Sequence, residues 1–222
     1  NPNWIGGLVV AGDTLIVPTH GSGGLIGVDL ATGARKWERL GKSPIISRLA
    51  TPAVWHHEGK QYLLCANDSG VLRMIDPASG KDLWQLEGLG PNWFTLTPGK
   101  THVIVNITPD SGKKKDKPRK PGQLGAVRLS PTEGKLEWKA PQDYLIPVWM
   151  DSGARFVVMY RDGRFLLPHM GASFGEIDAS GKEVEKKLTS KALLLDEATG
   201  KVLFEVEPPA NNDEELGGLM IW

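Results

Sequence analysis

The strongest constraint on this chain is a turn-and-strand pattern that occurs four times. The four copies read VDLATGARKW, IDPASGKDLW, RLSPTEGKLEW and LLDEATGKVLF, and their last residues are Trp37, Trp84, Trp138 and Phe204. Their glycines lie at positions 33, 80, 134 and 200, so the spacings are 47, 54 and 66 residues. A period of about 40–50 residues with β-type segments is typical of proteins in which each repeat is one small sheet. The growing spacing then indicates loop insertions.

Each copy has the chemistry of a hairpin followed by a packing residue. The carboxylates of Asp29, Asp76 and Asp196 are expected to accept hydrogen bonds from backbone N–H groups further along the turn, and Ser130 to do so more weakly. The Gly four residues later is expected to supply the positive φ that closes the hairpin. The aromatic residue after it is expected to cover the neighbouring sheet. We therefore assign this repeat to construction of the fold.

The segments between the copies are short and rich in β-branched and aromatic residues, so we predict four strands per unit. The predicted fold is all-β, a β-propeller of four-stranded antiparallel blades. The units cover about residues 2–46, 47–89, 90–144 and 145–209, and residues 210–222 are expected to begin a further blade. Because four blades alone leave open edges and uncovered faces, we expect this chain to be a piece of a longer propeller, completed by missing blades of the same protein, or to close with another chain.

All eight tryptophans fall in two positions of the repeat. Three end the last strand of a unit, and the other five lie in the predicted first strands, at Trp4, Trp55, Trp93, Trp149 and Trp222. Packing between sheets accounts for this placement, and an aromatic platform for a ligand is the alternative.

The pattern Asp-x-x-Thr-Gly-x-x-x-Trp, with β-strands between its copies, resembles the quinoprotein-type repeat. This repeat is the blade unit of pyrroloquinoline quinone (PQQ) dehydrogenases and of many non-enzymatic relatives. The copy LSPTEGKLEW departs from the pattern at the Asp. The resemblance implies a propeller of about seven or eight blades, located outside the cytoplasm. The dehydrogenases bind PQQ on the central axis, commonly with calcium, and many have a pair of adjacent cysteines beside it, whereas this chain has the single cysteine Cys65.

Composition restricts the classes of partner. Lys and Arg together number 26, as do Asp and Glu, so the formal net charge is zero and no general attraction to nucleic acid is expected. No apolar run reaches the roughly 18 residues of a membrane span. Cys65 lies in a predicted strand, where we expect a buried, unreactive thiol. We therefore predict neither a nucleic-acid partner nor a membrane span.

The loops that join second to third strands are expected to share one face with those that join last to first strands. The second-to-third loop is short in unit two (67–70), long in unit three (about 108–123) and longer in unit four (about 161–190). Long loops on a rigid scaffold commonly carry function, so we expect a protein or glycan partner there. The basic run KKKDKPRK in the unit-three loop fits an anionic polymer, a membrane surface or plain solvation. In unit four, IDASGKEV predicts a hairpin.

Six side chains are predicted to bind a ligand near this face: Asn3, His20, Arg48, Asn92, Asp143 and His169. Four of them approach the mouth of the central channel by repeat position, as does the Asn211–Asp213 run, and the two histidines lie in loops. An arginine there would favour a carboxylate or sulfate ligand, and a histidine can act as a ligand or transfer a proton. No catalytic residue or metal site is predicted, since His56 and His57 are adjacent in a strand and point to opposite faces.

Two functions fit these observations. The first is a non-catalytic extracytoplasmic β-propeller module that binds a protein, a glycan or a small ligand and needs no cofactor. The alternative is a portion of a PQQ-dependent, dehydrogenase-like quinoprotein that uses PQQ with calcium and whose site is completed by missing blades.

Overall fold

In a computed structural model the protein is built from β-strands. The structure describes the residues 6–19, 23–40, 44–47, 50–108, 122–146, 157–168, 170–177 and 182–207. In these residues eighteen strands form four four-stranded antiparallel sheets and one two-stranded sheet. The all-β prediction is confirmed, and we call the four larger sheets blades one to four in chain order.

Blades one and two arrange their strands in chain order. Blade one contains β1 (Val9–Ala11), β2 (Thr14–Pro18), β3 (Leu25–Asp29) and β4 (Arg35–Arg39). Blade two contains β5 (Ala53–His57), β6 (Lys60–Ala66), β7 (Leu72–Ile75) and β8 (Asp82–Leu86). The pairing of each third strand with the fourth contains a register shift, between Gly27 and Val28 and between Met74 and Ile75. Such a bulge inserts a residue and re-aims the side chains beyond it.

Blade three differs from the predicted four-strand unit. It contains β9 (His102–Asn106), β10 (Gly122–Leu129), β11 (Gly134–Lys139) and β12 (Leu145–Ile146). The strands β9, β11 and β12 each pair with β10. The segment around Trp93 forms no strand, apart from a bridge between Pro98 and Val103. Prolines at 91 and 98 remove backbone donors from this segment, which disfavours a strand there. The short strand β12, assigned by the sequence to unit four, pairs with blade three instead.

Blade four carries an insertion between its second and third strands. Its sheet contains β13 (Met159–Arg161), β14 (Arg164–Leu167), β17 (Ala192–Asp196) and β18 (Val202–Val206). Between β14 and β17, strands β15 (Met170–Ile177) and β16 (Glu183–Ser190) pair with each other. We call this pair the ribbon. The hairpin predicted at IDASGKEV is present, since Ile177 pairs with Glu183 across it.

The last-strand tryptophans join each blade to the next. Their indole N–H groups donate to backbone carbonyls in the following blade's turn, with N···O distances of 2.9 Å for Trp37 to Pro77, Trp84 to Ser130 and Trp138 to Glu197. Each ring also covers the repeat glycine of that turn, because a Cβ added to Gly80, Gly134 or Gly200 would lie 2.5 Å from the ring. We call this the tryptophan–glycine contact. The prediction that these aromatics cover the neighbouring sheet is confirmed for the three tryptophans.

The turns follow the predicted chemistry in three copies of four. Gly33, Gly80 and Gly200 have φ of 71°, 70° and 68°, and the Asp carboxylates accept from the N–H three residues on. The prediction is wrong for Gly134, which has no positive φ. The amide of Ser130 donates to the carbonyl of Glu133 at 3.0 Å, so this turn closes before Gly134, which begins β11. A side chain at Gly134 remains excluded because the Trp84 ring covers it.

Candidate functional site

The predicted binding face lies at the end of the blades where second and third strands are joined. Four of its six predicted ligand-binding side chains lie outside the described residues: Asn3, His20, Arg48 and His169. Residues 109–121 of the unit-three loop and the Asn211–Asp213 run also lie outside them. The described part of this face, which we call the rim, contains Asn92 and Asp143.

Asn92 is buried and supports the rim of blade three. Its side chain is fully excluded from solvent. Its Nδ2 donates to the carbonyl oxygens of Gly90 at 2.7 Å and Asn106 at 3.4 Å, and its Oδ1 accepts from the amide of Asn106 at 2.8 Å. The side chain of Asn106 in turn donates to Pro91 and accepts from Thr108, each at 3.0 Å. Both polar atoms of the Asn92 side chain are therefore hydrogen-bonded within the protein. Direct contact between Asn92 and a ligand stays a prediction.

A third buried asparagine, Asn67, hydrogen-bonds to loop backbone in blade two in a similar way. Its Nδ2 donates to the carbonyl of Pro44 at 2.6 Å, and its Oδ1 accepts from Ser69 and Val71 at 3.0 Å each. The backbone carbonyl of Asn67 accepts from the amide of Asn92 at 3.1 Å, which links the rims of blades two and three. Buried amides with satisfied partners make a polar surface rigid.

Asp143 lies exposed in the turn between β11 and β12. The adjacent Tyr144 is buried, and its hydroxyl donates to the carbonyl of Pro168 at the end of β14. Burial raises the pKa of the Tyr144 phenol, so the hydroxyl remains a donor. This contact connects the blade-three turn to the base of the ribbon. Asp143 is therefore an accessible carboxylate beside the ribbon's attachment point.

A second polar cluster lies at the opposite end of the blades, between blades three and four. Glu197 is 5% exposed. Its Oε1 accepts from the amides of Thr101 at 2.6 Å and His102 at 3.0 Å, and its Oε2 accepts from the Tyr160 hydroxyl at 2.7 Å. Burial raises the pKa of Tyr160, and the hydrogen bond to Glu197 raises it further. The carboxylate thus satisfies donors from both blades.

His102 extends this cluster towards the surface. Its Nε2 lies 2.5 Å from Oε2 of Glu137, and its Nδ1 lies 2.9 Å from the Thr101 hydroxyl. The bond from His102 is the main cause that lowers the pKa of Glu137, and Arg128 adds to it. Histidine between carboxylates is a common acid–base arrangement, but the His102 side chain is only 4% exposed. We therefore interpret this cluster as a connection between blades.

The sequence analysis named Asn92 but missed Asn67, Asn106 and the Glu197 cluster. A signal existed for the two asparagines, since each follows the apolar run of a predicted second strand, Asn67 in KQYLLCAN and Asn106 in THVIVNIT. A signal also existed for Glu197, which occupies the turn position held by Leu30, Pro77 and Pro131 in the other copies. A charged residue at one repeat position that is apolar elsewhere indicates a local partner.

Two further predictions concern the reactivity of Cys65 and the possibility of metal binding by His56 and His57. Cys65 is buried, and burial raises the pKa of its thiol to about 12, which agrees with the expected unreactive thiol. His57 stacks on Trp55 with ring centroids 4.7 Å apart, whereas His56 is exposed.

Across the described part of the chain, no three His, Cys, Asp or Glu residues come together as a possible metal site. The same residues contain no helix long and apolar enough to cross a membrane.

Comparison with known proteins confirms the predicted resemblance to quinoprotein-like propellers. Residues 3–93 match the sequence family described as "Outer membrane protein assembly factor BamB". Among functionally curated proteins, none matches the chain.

Two solved structures are similar to this chain. One, a europium-containing methanol dehydrogenase, has a TM-score of 0.56 at 16% sequence identity, over 91% of this chain and 41% of that chain. The other, BamB from Moraxella catarrhalis, has a TM-score of 0.48 at 18% identity, over 91% of this chain and 64% of that chain. The chain therefore spans less than two thirds of either protein. The β-propeller fold class is confirmed.

Proposed function

We propose that this chain is a non-catalytic β-propeller module of an extracytoplasmic protein, and that it binds a protein partner on the rim of blades three and four. A glycan or small ligand on the same rim is the related possibility. The observation that carries the proposal is the ribbon, a pair of eight-residue strands inserted on the rim side of blade four.

The ribbon supports a protein partner through its backbone. Within the described residues, β15 and β16 pair with each other and with no other strand, so each strand has an edge of N–H and C=O groups. Such an edge accepts an extended segment of another protein by strand addition. The Tyr144–Pro168 contact holds the ribbon's base against blade three, and a rigid base lowers the entropic cost of binding.

The polar groups of the rim also favour binding over catalysis. Three buried asparagines hold loops through their side-chain amides: Asn67, Asn92 and Asn106. Among the predicted site residues that the structure describes, Asp143 is the exposed ionisable group. A carboxylate without an adjacent base or nucleophile suits recognition of a basic or hydrogen-bond-donating partner. The matched family's description names outer membrane protein assembly, which supports a protein partner and a location outside the cytoplasm.

Site-specific photo-cross-linking in the native organism tests this proposal. Val184 on the ribbon is 39% exposed and Leu83 on blade two is 43% exposed, so they are matched positions. We expect a photoreactive residue at 184 to form a discrete adduct with one protein and a residue at 83 to form none. Replacing residues 171–189 with the four-residue loop NDSG of blade two should abolish binding of that protein to the purified chain without lowering the thermal midpoint. Equal adducts at both positions, or full binding without the ribbon, would contradict the proposal.

The alternative function, part of a PQQ-dependent quinoprotein, is supported by the shared fold with the methanol dehydrogenase. The described residues do not by themselves assemble a metal site from His, Cys, Asp and Glu, so a quinone with calcium would require other residues. Adding PQQ and calcium to the purified chain separates the two functions. Quinone absorbance in the protein fraction together with thermal stabilisation would favour the alternative, and we expect neither.

A further inference from the structure

The ribbon continues the two middle strands of blade four. Leu167 pairs with Leu193 in the blade, and Met170 pairs with Ser190 in the ribbon, three residues further along each strand. The register is therefore unbroken, so β14 with β15 and β16 with β17 form one long hairpin. The outer strands β13 and β18 pair with the blade half of this hairpin. Among the described strands, none is hydrogen-bonded to either outer edge of the ribbon.

The two strands of the ribbon differ in access. β15 lies beside β12 of blade three, and the hydrogen bond from the Tyr144 hydroxyl to Pro168 fixes this side at its base. In the described part of the chain, no strand other than β15 comes comparably close to β16. A strand added to β15 would have to share its space with β12, whereas one added to β16 would not. The outer edge of β16 is therefore the more accessible one.

The outer edge of β16 begins where β18 stops. The last residue of β18, Val206, pairs with Ala192 at the base of the ribbon. Glu207 follows, and the sequence then has prolines at 208 and 209, which have no N–H to donate to a neighbouring strand. A segment of another protein that added to β16 would lie in line with β18 and extend the sheet of blade four along the ribbon.

Charge at the base of the ribbon indicates what this position accepts. Glu205 and Glu207 are 49% and 77% exposed, and Lys191, directly after β16, bonds to them at 3.0 and 3.3 Å. These three side chains together carry a net negative charge. Antiparallel pairing is the more stable arrangement, and a segment antiparallel to β16 begins at the base, because β16 ends there. Its first residues would therefore meet the two carboxylates.

We propose that the outer edge of β16 binds an extended segment of another protein, antiparallel to β16 and in line with β18, with a basic residue at its amino-terminal end beside Glu205 and Glu207. This inference rests on the proposed function and specifies the edge, the direction and the charge of the partner segment. In strand addition, main-chain hydrogen bonds supply affinity, and complementary charge supplies specificity. The eight residues of β16 fit a segment of similar length.

Proline substitutions test which edge is used, with the purified protein that is captured at position 184 as the probe. Successive N–H groups of a strand point to opposite edges, so a proline removes either a donor to the partner or a donor within the ribbon. Of Lys187→Pro and Leu188→Pro in β16, one should weaken binding about tenfold while the ribbon amides stay protected from hydrogen exchange. Of Ser173→Pro and Phe174→Pro in β15, the one that keeps this protection should bind like the wild type.

Charge reversal and cross-link mapping test the charge and the direction. Glu207→Lys should weaken binding of the same probe about fivefold, chiefly through slower association, and molar salt should reduce the difference. Glu58→Lys is the matched control and should bind like the wild type, because Glu58 is 85% exposed in the turn between β5 and β6, away from the rim. A photoreactive residue at 207 should cross-link to the amino-terminal part of the bound segment, and one at 184 to its carboxy-terminal part.

The outcomes separate this inference from the proposed function. Binding that depends on β15 instead of β16, cross-links in the reverse order, or full binding by Glu207→Lys would overturn the inference and leave the proposed function intact. Capture of a second copy of this chain at 184 would also overturn it. Capture of no protein at 184, or full binding after replacement of the ribbon, would overturn the proposed function and this inference together.

Discussion

The contact between blades one and two and the contact between blades three and four use the same tryptophan–glycine contact but different polar groups. Between blades one and two, Arg39 makes two hydrogen bonds to Asp82, at 2.6 and 3.0 Å, and one to the carbonyl of Gly80 at 3.1 Å. The side chains are 25% and 31% exposed. Between blades three and four, the buried Glu197 accepts from three groups of blade three and from Tyr160 of its own blade.

This difference shows how a repeat protein varies its inter-blade contacts. A partly exposed ion pair is weakened by solvent and salt, and its net contribution is small. A buried carboxylate that satisfies buried donors is costly to remove, because the donors cannot regain water. We therefore expect the shared aromatic contact to contribute similarly at both places and the polar groups to contribute unequally.

The largest effect is expected for Glu197→Ala. The substitution leaves the buried amides of Thr101 and His102 without an acceptor, so we expect a loss of about 4 kcal/mol in the free energy of unfolding, measured by urea denaturation. Glu197→Gln keeps an oxygen acceptor and should lose about half as much. A loss below about 1 kcal/mol for Glu197→Ala would contradict the structural role of this carboxylate.

Removing the aromatic ring should have the next largest effect and should be equal at the two contacts. Trp37→Ala and Trp138→Ala are each expected to lower the free energy of unfolding by about 3 kcal/mol. The Phe variants keep ring packing but lose the indole hydrogen bond, so about 1 kcal/mol is expected for each. Clearly unequal Ala values would show that the tryptophan–glycine contact is not equivalent in the two places.

Substitutions at two repeat glycines distinguish the cost of a strained backbone from the cost of a steric clash. Gly80 and Gly33 have nearly the same φ, 70° and 71°, but only Gly80 lies under a ring. Gly33→Ala should cost about 1 kcal/mol from the left-handed backbone alone, and Gly80→Ala about 2 kcal/mol because the methyl group also meets Trp37. Circular dichroism melts of the two variants provide the comparison, and identical midpoints would rule out the steric contribution.

Arg39→Ala should have a smaller effect, about 1 kcal/mol, which molar salt should reduce. Arg35 forms an exposed pair with Glu38, and its side chain is 64% exposed. Arg35→Ala is thus a matched control with an expected change within about 0.5 kcal/mol. A salt-independent loss at Arg39 would indicate that packing of its alkyl chain, rather than charge, carries the effect.

The smallest effect is a pH dependence at Glu137. Its pKa lies below the ordinary 4.5, chiefly because of the hydrogen bond with His102. A carboxylate with a lowered folded-state pKa stabilises the protein above its unfolded-state pKa, and this stability is lost as the pH falls through the folded-state value. Urea midpoints of the wild type and Glu137→Gln, measured between pH 6 and about pH 3, should therefore converge on acidification. Parallel curves would show that Glu137 has no such role.

Local sequence patterns predicted most of the fold. The four turn copies, the alternation of the strands and the hairpin at IDASGKEV each depend on neighbouring residues, so they could be read directly. The prediction failed where the local pattern was incomplete: at Gly134, where Ser replaces Asp and the turn closes early, and around Trp93, where prolines replace backbone donors. The predicted site residues were chosen by repeat position, which locates a backbone but does not determine what a side chain contacts.

Turn chemistry and strand periodicity act over a few residues, so the amino-acid sequence was sufficient to predict repeated four-stranded blades with tryptophans packed between them. Which polar groups are buried became visible in the folded chain alone. Glu197 meets the amide of His102 across 95 residues, and Asn106 meets Asn92 across 14. The folded chain also shows that Phe204, the fourth aromatic of the repeat, is exposed while the three tryptophans are covered. Such contacts depend on which blade lies beside which, because burial is a property of neighbouring surfaces rather than of a sequence position.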